Sequence, residues 1–240
     1  MARLSLPPVF LLLALLLAAP AAEPARPALT AADYAPRSMR GWTVQVQKDL
    51  GAADRLEAAL ALLDSELDTI ARTLPPEAVK ELQQVTLWLT RNSSPGAAYH
   101  PSRDWLSQHG RVPEMEKGIE IQSIANFLDW KETQPAMILH EMAHAWHHRH
   151  FGFNHPAITA AFQKAQASGR YEKVKHHNGR TERHYALTNE KEYFAELTES
   201  YFWRNDFFPF DRKELQEFDP EGAAMVREVW GLKPEPPAAR

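Results

Sequence analysis

His140 and His144 stand four residues apart, and Glu141 directly follows the first of them. On an α-helix, residues at this spacing lie one turn apart on the same face, so two imidazole nitrogens can reach a single ion. Zn²⁺ held by three protein groups keeps a fourth position for water and lowers the pKa of that water to about 7. A carboxylate beside the first His can accept the proton that the water releases. The pattern therefore predicts a catalytic zinc site.

The residues around this pattern are largely apolar, which argues against a chance match. The chain holds 11 His, so two of them could fall at this spacing by accident. Most other positions of the segment, however, are aliphatic or methionine: Ala136, Met137, Ile138, Leu139, Met142, Ala143 and Ala145. Imidazoles and a carboxylate in so apolar a helix are costly to bury unless they are coordinated or hydrogen-bonded. We therefore expect these polar side chains to share a ligand.

A third ligand can come from the same helix or from a later one. His150 lies ten residues after His140, where metzincins place their third His. That arrangement needs a Gly at position 147, where the helix must break, and this chain has His147 there. No helix breaker precedes Gly152, and Met225, the only later methionine, is a poor match to a Met-turn. His150 is better interpreted as a surface residue near a helix C-terminus.

Residues 189–204 are predicted to form a later helix that can supply a carboxylate. Asn189 suits an N-cap, with Glu192 at the third helical position. Glu192, Glu196 and Glu199 share one face at spacings of four and three. Such a row of glutamates can also form a solvent-exposed stripe. The two-His helix needs one more oxygen ligand, however, and this favours coordination of the metal by one of the glutamates. Glu190 remains a rival ligand, because thermolysin-like enzymes open their ligand helix with Asn-Glu.

The stretch from Tyr185 to Glu196 (YALTNEKEYFAE) resembles the corresponding stretch of anthrax-lethal-factor-like zinc metallopeptidases. It is also similar to the clostridial Pro-Pro endopeptidases, in which a Tyr stands at a comparable distance before the ligand Glu. The resemblance covers residues 137–204, and the N-terminal third takes no part in it. It implies that Glu192 is the third zinc ligand and that the Tyr185 hydroxyl steadies the oxyanion. One departure is the spacing of 48 residues between His144 and Glu192, which a segment without a match fills.

The chemistry of peptide hydrolysis supports these roles separately. A zinc site of this kind needs a donor near the carbonyl oxygen as it becomes negative, and a phenol such as Tyr185 can serve. Tyr185 can also be a core aromatic residue, and its neighbour His184 is a rival donor. Glu196, one turn beyond Glu192, is suited to accept the free N–H of a ligand His and to fix its tautomer.

The pattern of apolar residues predicts an α+β fold, a zincin-like metallopeptidase domain with a small sheet followed by a mostly helical C-terminal half. Alternating apolar positions predict strands at 42–46, 85–90 and 117–124. Helical spacing and helix-ending residues predict helices at 54–74, 134–150, 155–168, 189–204 and 220–230. In zincins an edge strand pairs with the substrate backbone, and residues 118–123 are the candidate strand.

The organisation of the chain is predicted to include one catalytic domain at residues 41–232. Residues 1–22 are predicted to be a signal peptide, since Val9 to Ala19 is almost purely aliphatic and a small-x-small pattern follows. Residues 23–40 are predicted to be a flexible leader and residues 233–240 a disordered tail. The polar stretch 170–183 is predicted to be mobile.

Composition limits the cellular setting and the partners. The formal charge of −4 and the scattered Lys and Arg argue against a nucleic-acid partner. We expect a secreted or periplasmic protein with no membrane span after signal cleavage, although the apolar run could be retained as an anchor. The chain has no Cys, so disulfides and thiolate ligands play no part. The oligomeric state stays open.

Together these features predict a secreted zinc-dependent endopeptidase with one catalytic Zn²⁺ and a protein or peptide substrate. Glu141 is the predicted general base, and His140, His144 and Glu192 are the predicted metal ligands. Two alternatives remain open. The first is a metal-binding surface module without catalysis, and the second is a zinc hydrolase of a non-peptide amide.

Overall fold

A computed structural model describes residues 29–91 and 96–233 of the chain. The fold is mixed α+β, as the apolar pattern predicts. The predicted signal peptide at 1–22 lies outside the described residues, and so do residues 234–240 of the predicted tail. Within the described residues, no helix combines the length and the apolar character needed to cross a membrane.

A five-stranded sheet forms one layer of the domain. Its strands are β1 (Tyr34–Met39), β2 (Trp42–Gln47), β3 (Leu87–Leu89), β4 (Ala97–Tyr99) and β5 (Ile119–Ile121). Their order across the sheet is β1-β2-β3-β5-β4. The three central strands β2, β3 and β5 run parallel, and β1 and β4 are antiparallel edge strands. The strands predicted at 42–46, 85–90 and 117–124 are confirmed, although the last two are shorter than predicted.

The prediction of a flexible leader at 23–40 is wrong for its last part, because β1 begins at Tyr34. Tyr34 is buried, with its ring edge-on to Trp88 at 4.9 Å and its hydroxyl 3.1 Å from Thr90 Oγ1. A two-residue turn with positive φ at Arg40 and Gly41 then pairs β1 with β2. The strand has little apolar alternation of its own, and its backbone pairing with β2 is what makes it a strand.

The prediction that residues 118–123 form the edge strand is also wrong. β5 lies between β3 and β4, so both of its backbone edges are already paired. The edge strands are β1 and β4, and β4 is the one that lies against the helix at Met137–Phe151. The small residues Ala97 and Ala98 give this strand no apolar alternation from which it could be predicted.

Helices pack on both faces of the sheet and form most of the C-terminal half. Those before residue 130 are α1 (Leu56–Thr73), α2 (Pro76–Leu82), α3 (Arg103–Gln108) and α4 (Ile124–Asp129). Those after it are α5 (Met137–Phe151), α6 (Pro156–Ser168), α7 (Glu190–Phe202), α8 (Arg212–Phe218) and α9 (Pro220–Val229). The five predicted helices are confirmed with shifted ends. Gly152 and Gly169 adopt the left-handed conformation that ends α5 and α6.

The polar stretch 170–183 has a defined structure, contrary to the prediction that it is mobile. It contains a short hairpin of β6 (Val174–Lys175) and β7 (Thr181–Glu182). Backbone bonds tie this hairpin to the segment after α7, with Phe208 N–H donating to Lys175 O at 2.8 Å. Its own sequence is polar, so the order comes from contacts with distant residues.

The start of α5 is held by a buried carboxyl group from α1. Ala136 at the N-cap has no side chain that could accept a backbone N–H. Glu66 Oε2 accepts the N–H of Ile138 instead, at 3.2 Å. Burial and the nearby charge of Glu199 together raise the pKa of Glu66 to about 8, although the hydrogen bond from Ile138 N–H lowers it. Glu66 therefore carries its proton at neutral pH and caps the helix in the neutral form.

Replacing Glu66 by Gln keeps an acceptor oxygen but removes the ionisation. Between the ordinary pKa of 4.5 and the raised value of about 8, folded wild-type protein holds a proton that the unfolded chain lacks. The stabilisation from Glu66 is therefore present at low pH and lost as the pH rises through this window. Relative to Glu66→Gln, the wild type should lose roughly 3–5 kcal/mol of unfolding free energy from pH 4.5 to 8.5, at about 1.4 kcal/mol per pKa unit.

Denaturant unfolding of both proteins in the presence of a chelator, at pH 4.5, 6.5 and 8.5, measures this difference. The exposed Glu57→Gln on the same helix is the matched control and should follow the wild type at every pH. Parallel stability profiles for wild type and Glu66→Gln would show that Glu66 is not a protonated cap.

Candidate metal centre

Helix α5 presents two imidazoles on one face, as the spacing predicts. The ring centroids of His140 and His144 lie 4.7 Å apart, and their Nε2 atoms are 3.1 Å apart. The neighbouring helical positions Leu139, Met142 and Ala143 are fully buried in the core. The helix is thus embedded in apolar surroundings, and its polar face turns toward α7.

Helix α7 brings a carboxylate to these two rings. Its N-cap is Asn189, whose side-chain oxygen accepts the N–H groups of Lys191 and Glu192 at 2.9 and 3.1 Å. The predicted N-cap is therefore confirmed, and the Glu192 side chain points to the histidines of α5. Glu192 Oε2 lies 3.0 Å from His140 Nε2 and 3.3 Å from His144 Nε2.

The three donor atoms fit a single tetrahedral ion. Their separations of 3.0, 3.1 and 3.3 Å form a nearly equilateral triangle. Around Zn²⁺, bonds of about 2.0–2.1 Å in tetrahedral geometry put neighbouring ligand atoms about 3.3–3.4 Å apart. Two imidazoles and one carboxylate are also a ligand set that Zn²⁺ accepts in catalytic sites. The donor set therefore suits zinc in both chemistry and size.

The charges of the cluster favour a cation between its donors. Burial lowers the pKa of His140, but the carboxylates of Glu192 and Glu199 outweigh it and raise that pKa well above its usual value. Burial likewise raises the pKa of Glu192, and hydrogen bonds from both imidazoles outweigh it and lower that pKa below its usual range. Both shifts favour a proton on His140 beside an ionised Glu192 in the metal-free protein. A metal ion would replace that proton.

The outer nitrogen of His140 is bonded to Glu199, which corrects the prediction for Glu196. Glu199 Oε1 lies 2.7 Å from His140 Nδ1, whereas Glu196 Oε1 lies 3.6 Å away, beyond hydrogen-bonding distance. Glu196 instead accepts from the Asn205 side-chain amide at 2.9 Å. Glu199 is buried, with 5% of its surface exposed.

The rival ligands lie elsewhere. Glu190 begins α7 but turns to α6, where the Thr159 hydroxyl donates to its Oε2 at 3.4 Å. His150 is exposed in the last turn of an unbroken α5, and its Nε2 lies 2.9 Å from Glu81 Oε2. Among the His and carboxylate side chains of the described residues, only Glu192 joins both histidines in a three-donor group.

Glu141 lies on the neighbouring face of α5 and is held by the edge strand. Its Oε2 accepts the backbone N–H of Tyr99 in β4 at 2.7 Å. The residue is 8% exposed, yet it lines a cavity together with His140. The carboxylate is thus oriented by the backbone and remains open to a ligand in the cavity.

Tyr185 lies on the cavity side of the cluster, and His184 does not. Tyr185 opens a 3-10 turn before α7, is 47% exposed and has its ring centroid 6.4 Å from that of His140. His184 is buried, with its Nδ1 accepting the N–H of Ala186 at 3.1 Å. The structure therefore leaves Tyr185 as the candidate donor. Burial raises the pKa of its hydroxyl, and the charge of Glu192 adds to the effect, so the hydroxyl keeps its proton.

A cavity of about 500 Å³ opens beside His140 and Glu141. One group of lining residues comes from β4 and the segment before α5: Gly96, Ala97, Trp130, Gln134 and Met137. A second group comes from the hairpin and the turn after it: His176, Arg180, Glu182, Arg183 and Tyr185. His144 and Glu192 are not among the lining residues, and 12% and 18% of their side chains are exposed.

A scan against protein-family models, a search of curated proteins and a search of solved structures each gave no match to this chain. The interpretation of the site therefore depends on its own geometry, and the resemblance to lethal-factor-like peptidases remains a prediction.

Two features of the site were not predicted from the sequence. The first is the Tyr99 N–H, a backbone donor in a strand that no side-chain pattern indicates. The second is the choice of Glu199 over Glu196, although both lie on the predicted face of α7. The seven-residue spacing from Glu192 to Glu199 was a usable signal, because two helical turns return a side chain to the same line. The choice itself depends on the angle at which the helices cross.

Replacing Glu192 by Ala removes one corner of the donor triangle. We expect zinc affinity to fall by on the order of 10²-fold or more, because the loss of a ligand should cost more than the loss of a residue that only supports a ligand. The matched control is Glu190→Ala on the same helix, which should bind zinc as the wild type does. Competition titration of the metal-free proteins against a chromophoric chelator measures both. Tight binding retained in Glu192→Ala, together with loss in Glu190→Ala, would make the ligand assignment wrong.

Proposed function

We propose that this chain is a secreted or periplasmic zinc-dependent endopeptidase with a zincin-like catalytic domain. The observation that carries the proposal is the donor triangle of His140, His144 and Glu192 next to a cavity that Glu141 lines. Three protein ligands leave one position of a tetrahedral ion open, which is the arrangement of catalytic rather than structural zinc sites. The aliphatic run at 9–19 supports export.

When bound, zinc supplies a Lewis acid that polarises a carbonyl group and lowers the pKa of a coordinated water. Glu141 takes up the proton that this water loses. Tyr99 N–H holds one oxygen of the carboxylate, Oε2, and we assign the proton transfer to the other, Oε1. Glu199 holds the outer nitrogen of His140, which would leave the Nε2 lone pair of this ring free to bind a metal.

Tyr185 is the donor to the substrate oxygen in this proposal. Its exposed position on the cavity wall, 6.4 Å from the His140 ring by centroids, lets a phenol approach a carbonyl that lies beside the ion. The hydroxyl keeps its proton near neutral pH and can donate a hydrogen bond as negative charge develops on that oxygen.

The outer edge of β4 at Ala97 supports a peptide substrate. Gly96, Ala98 and His100 bond to β5, as in the 2.9 Å contact from Gln122 N–H to Gly96 O. Alternation along a strand then directs the N–H and C=O groups of Ala97 and Tyr99 to the other side. The Tyr99 N–H goes to Glu141, and Ala97 lines the cavity. An extended peptide can therefore pair with Ala97 beside the metal centre.

Replacing Glu141 by Gln tests the general base. The amide keeps the size of the side chain and an acceptor for Tyr99 N–H, but it cannot take up a proton. We expect kcat on a cleaved peptide to fall by about 10²–10⁴-fold, with zinc content at the wild-type level. Cleavage is first located by incubating the wild type with a diverse peptide library and, separately, with cell-wall fragments.

The outcomes of this experiment separate the alternatives. Hydrolysis of cell-wall amides without peptide cleavage would indicate a non-peptide hydrolase. Tight zinc binding without hydrolysis of either substrate would indicate a metal-binding module. Undiminished turnover in Glu141→Gln would show that Glu141 is not the general base.

Replacing Tyr185 by Phe tests the hydroxyl donor. Loss of one oxyanion donor is expected to lower kcat by about 10²–10³-fold, with little change in KM or zinc affinity, because the ring remains. Trp105→Phe is the control, since Trp105 is similarly exposed but does not line the cavity. Steady-state kinetics on the cleaved peptide measure both variants, and equal kcat values for wild type and Tyr185→Phe would contradict the assignment.

A further inference from the structure

The two candidate ligand histidines differ in what supports their outer nitrogens. His140 Nδ1 faces the Glu199 carboxylate at 2.7 Å. His144 Nδ1 is buried and has no hydrogen-bond partner within the described part of the chain. A metal-ligating His almost always donates its second N–H to an acceptor, which fixes the tautomer of the ring. His144 therefore needs an acceptor for its Nδ1–H that the described residues do not supply.

His147 lies one turn further along α5, next to His144 on the same helix face. It is 1% exposed, and neither of its ring nitrogens has a partner among the described residues. Its ring packs edge-on against Phe153 and Phe194, with centroid distances of 5.3 and 5.5 Å. Buried polar atoms in native proteins almost always have a protein or water partner, so two bare nitrogens on one ring point to a ligand.

His155, at the N-cap of α6, adds a further buried nitrogen of the same kind. Its Nδ1 has no partner in the described residues, and its ring packs on Phe151 at 4.4 Å. Burial lowers the pKa of His147, and the charges that His144 and His155 can carry lower it further. Three histidines of α5 and of the N-cap of α6 therefore carry buried nitrogens that have no partner among the described residues.

The chemistry of this region favours water as the ligand. Burial lowers the pKa of His147 to about 4, so at neutral pH the ring is neutral, with one donor and one acceptor nitrogen. The three histidines do not form a group whose donor atoms lie within 4.8 Å of one another, as a metal site requires. A water molecule can bridge such separated nitrogens, because it both donates and accepts hydrogen bonds.

We propose that a buried ordered water accepts the Nδ1–H of His144 and donates to His147, which makes His147 a positioning residue for the metal centre. The inference rests on the proposed function, since it assumes that His144 binds zinc through Nε2. The water holds the Nδ1–H tautomer of His144, and His147 in turn holds the water. One ligand His is then supported by a carboxylate and the other by a water–imidazole pair.

Zinc affinity of the metal-free protein, measured by competition with a chelator, tests this role. His147→Leu removes both nitrogens, and zinc should bind about 10–100-fold more weakly, as for other supporting residues. His147→Gln keeps a donor and an acceptor and should recover most of this loss. His150→Leu, on the exposed side of the same helix, is the control and should bind as the wild type does.

A second measurement avoids variants that fail to fold. In ¹⁵N-labelled wild-type protein loaded with zinc, His144 should show the Nδ1–H tautomer, with magnetisation transfer from that proton to a long-lived water. The absence of this transfer would overturn the proposal, and so would equal zinc affinities of His147→Leu and wild type. If the wild type binds two zinc ions tightly and His147→Leu binds one, the ligand of His147 is a second metal ion and not a water. That result would also overturn the proposal.

Failure of the metal site itself gives a different result. If the wild type binds no zinc, or Glu192→Ala binds it equally well, the proposed function falls, whatever the His147 variants show. If Glu192→Ala loses zinc and His147→Leu does not, only the supporting role of His147 is lost.

Discussion

The metal centre depends on one contact, the approach of the Glu192 carboxylate on α7 to the two imidazoles of α5. Both helices are buried over most of their surface, so polar groups at their crossing have little access to water. Such groups are stable only when each has a partner. Glu199 meets this need for the outer side of His140, and Asn189 meets it for the first N–H groups of α7. The site is therefore a polar contact enclosed by apolar packing.

Much of this contact could be predicted from sequence because its parts are local. The spacing of His140 and His144 defines a common helix face wherever the helix lies, and Asn189 is a cap through bonds to the nearby Lys191 and Glu192. The selection of Glu192 needed more, namely a resemblance to a known group of peptidases. The structure agrees with that selection in geometry, since Glu190 turns to α6.

The parts that could not be predicted are those that distant residues determine. β1 and β4 have little apolar alternation, and they exist because β2 and β5 offer them backbone partners. The hairpin at 174–182 is polar and takes its order from the segment after α7. A helix face can be predicted from spacing, but whether Glu199 or Glu196 reaches His140 Nδ1 depends on how α7 packs against α5.

The bond from Tyr99 N–H to Glu141 has a consequence for how β4 can vary. The carboxylate is held by the backbone of the strand, so the side chains at 97 and 98 can change without touching that bond. The bond is sensitive, however, to the length of the strand. Inserting or deleting one residue before Tyr99 reverses which N–H groups face α5, and Glu141 would then meet a carbonyl or a side chain. This edge is therefore tolerant of substitution and intolerant of a change in length.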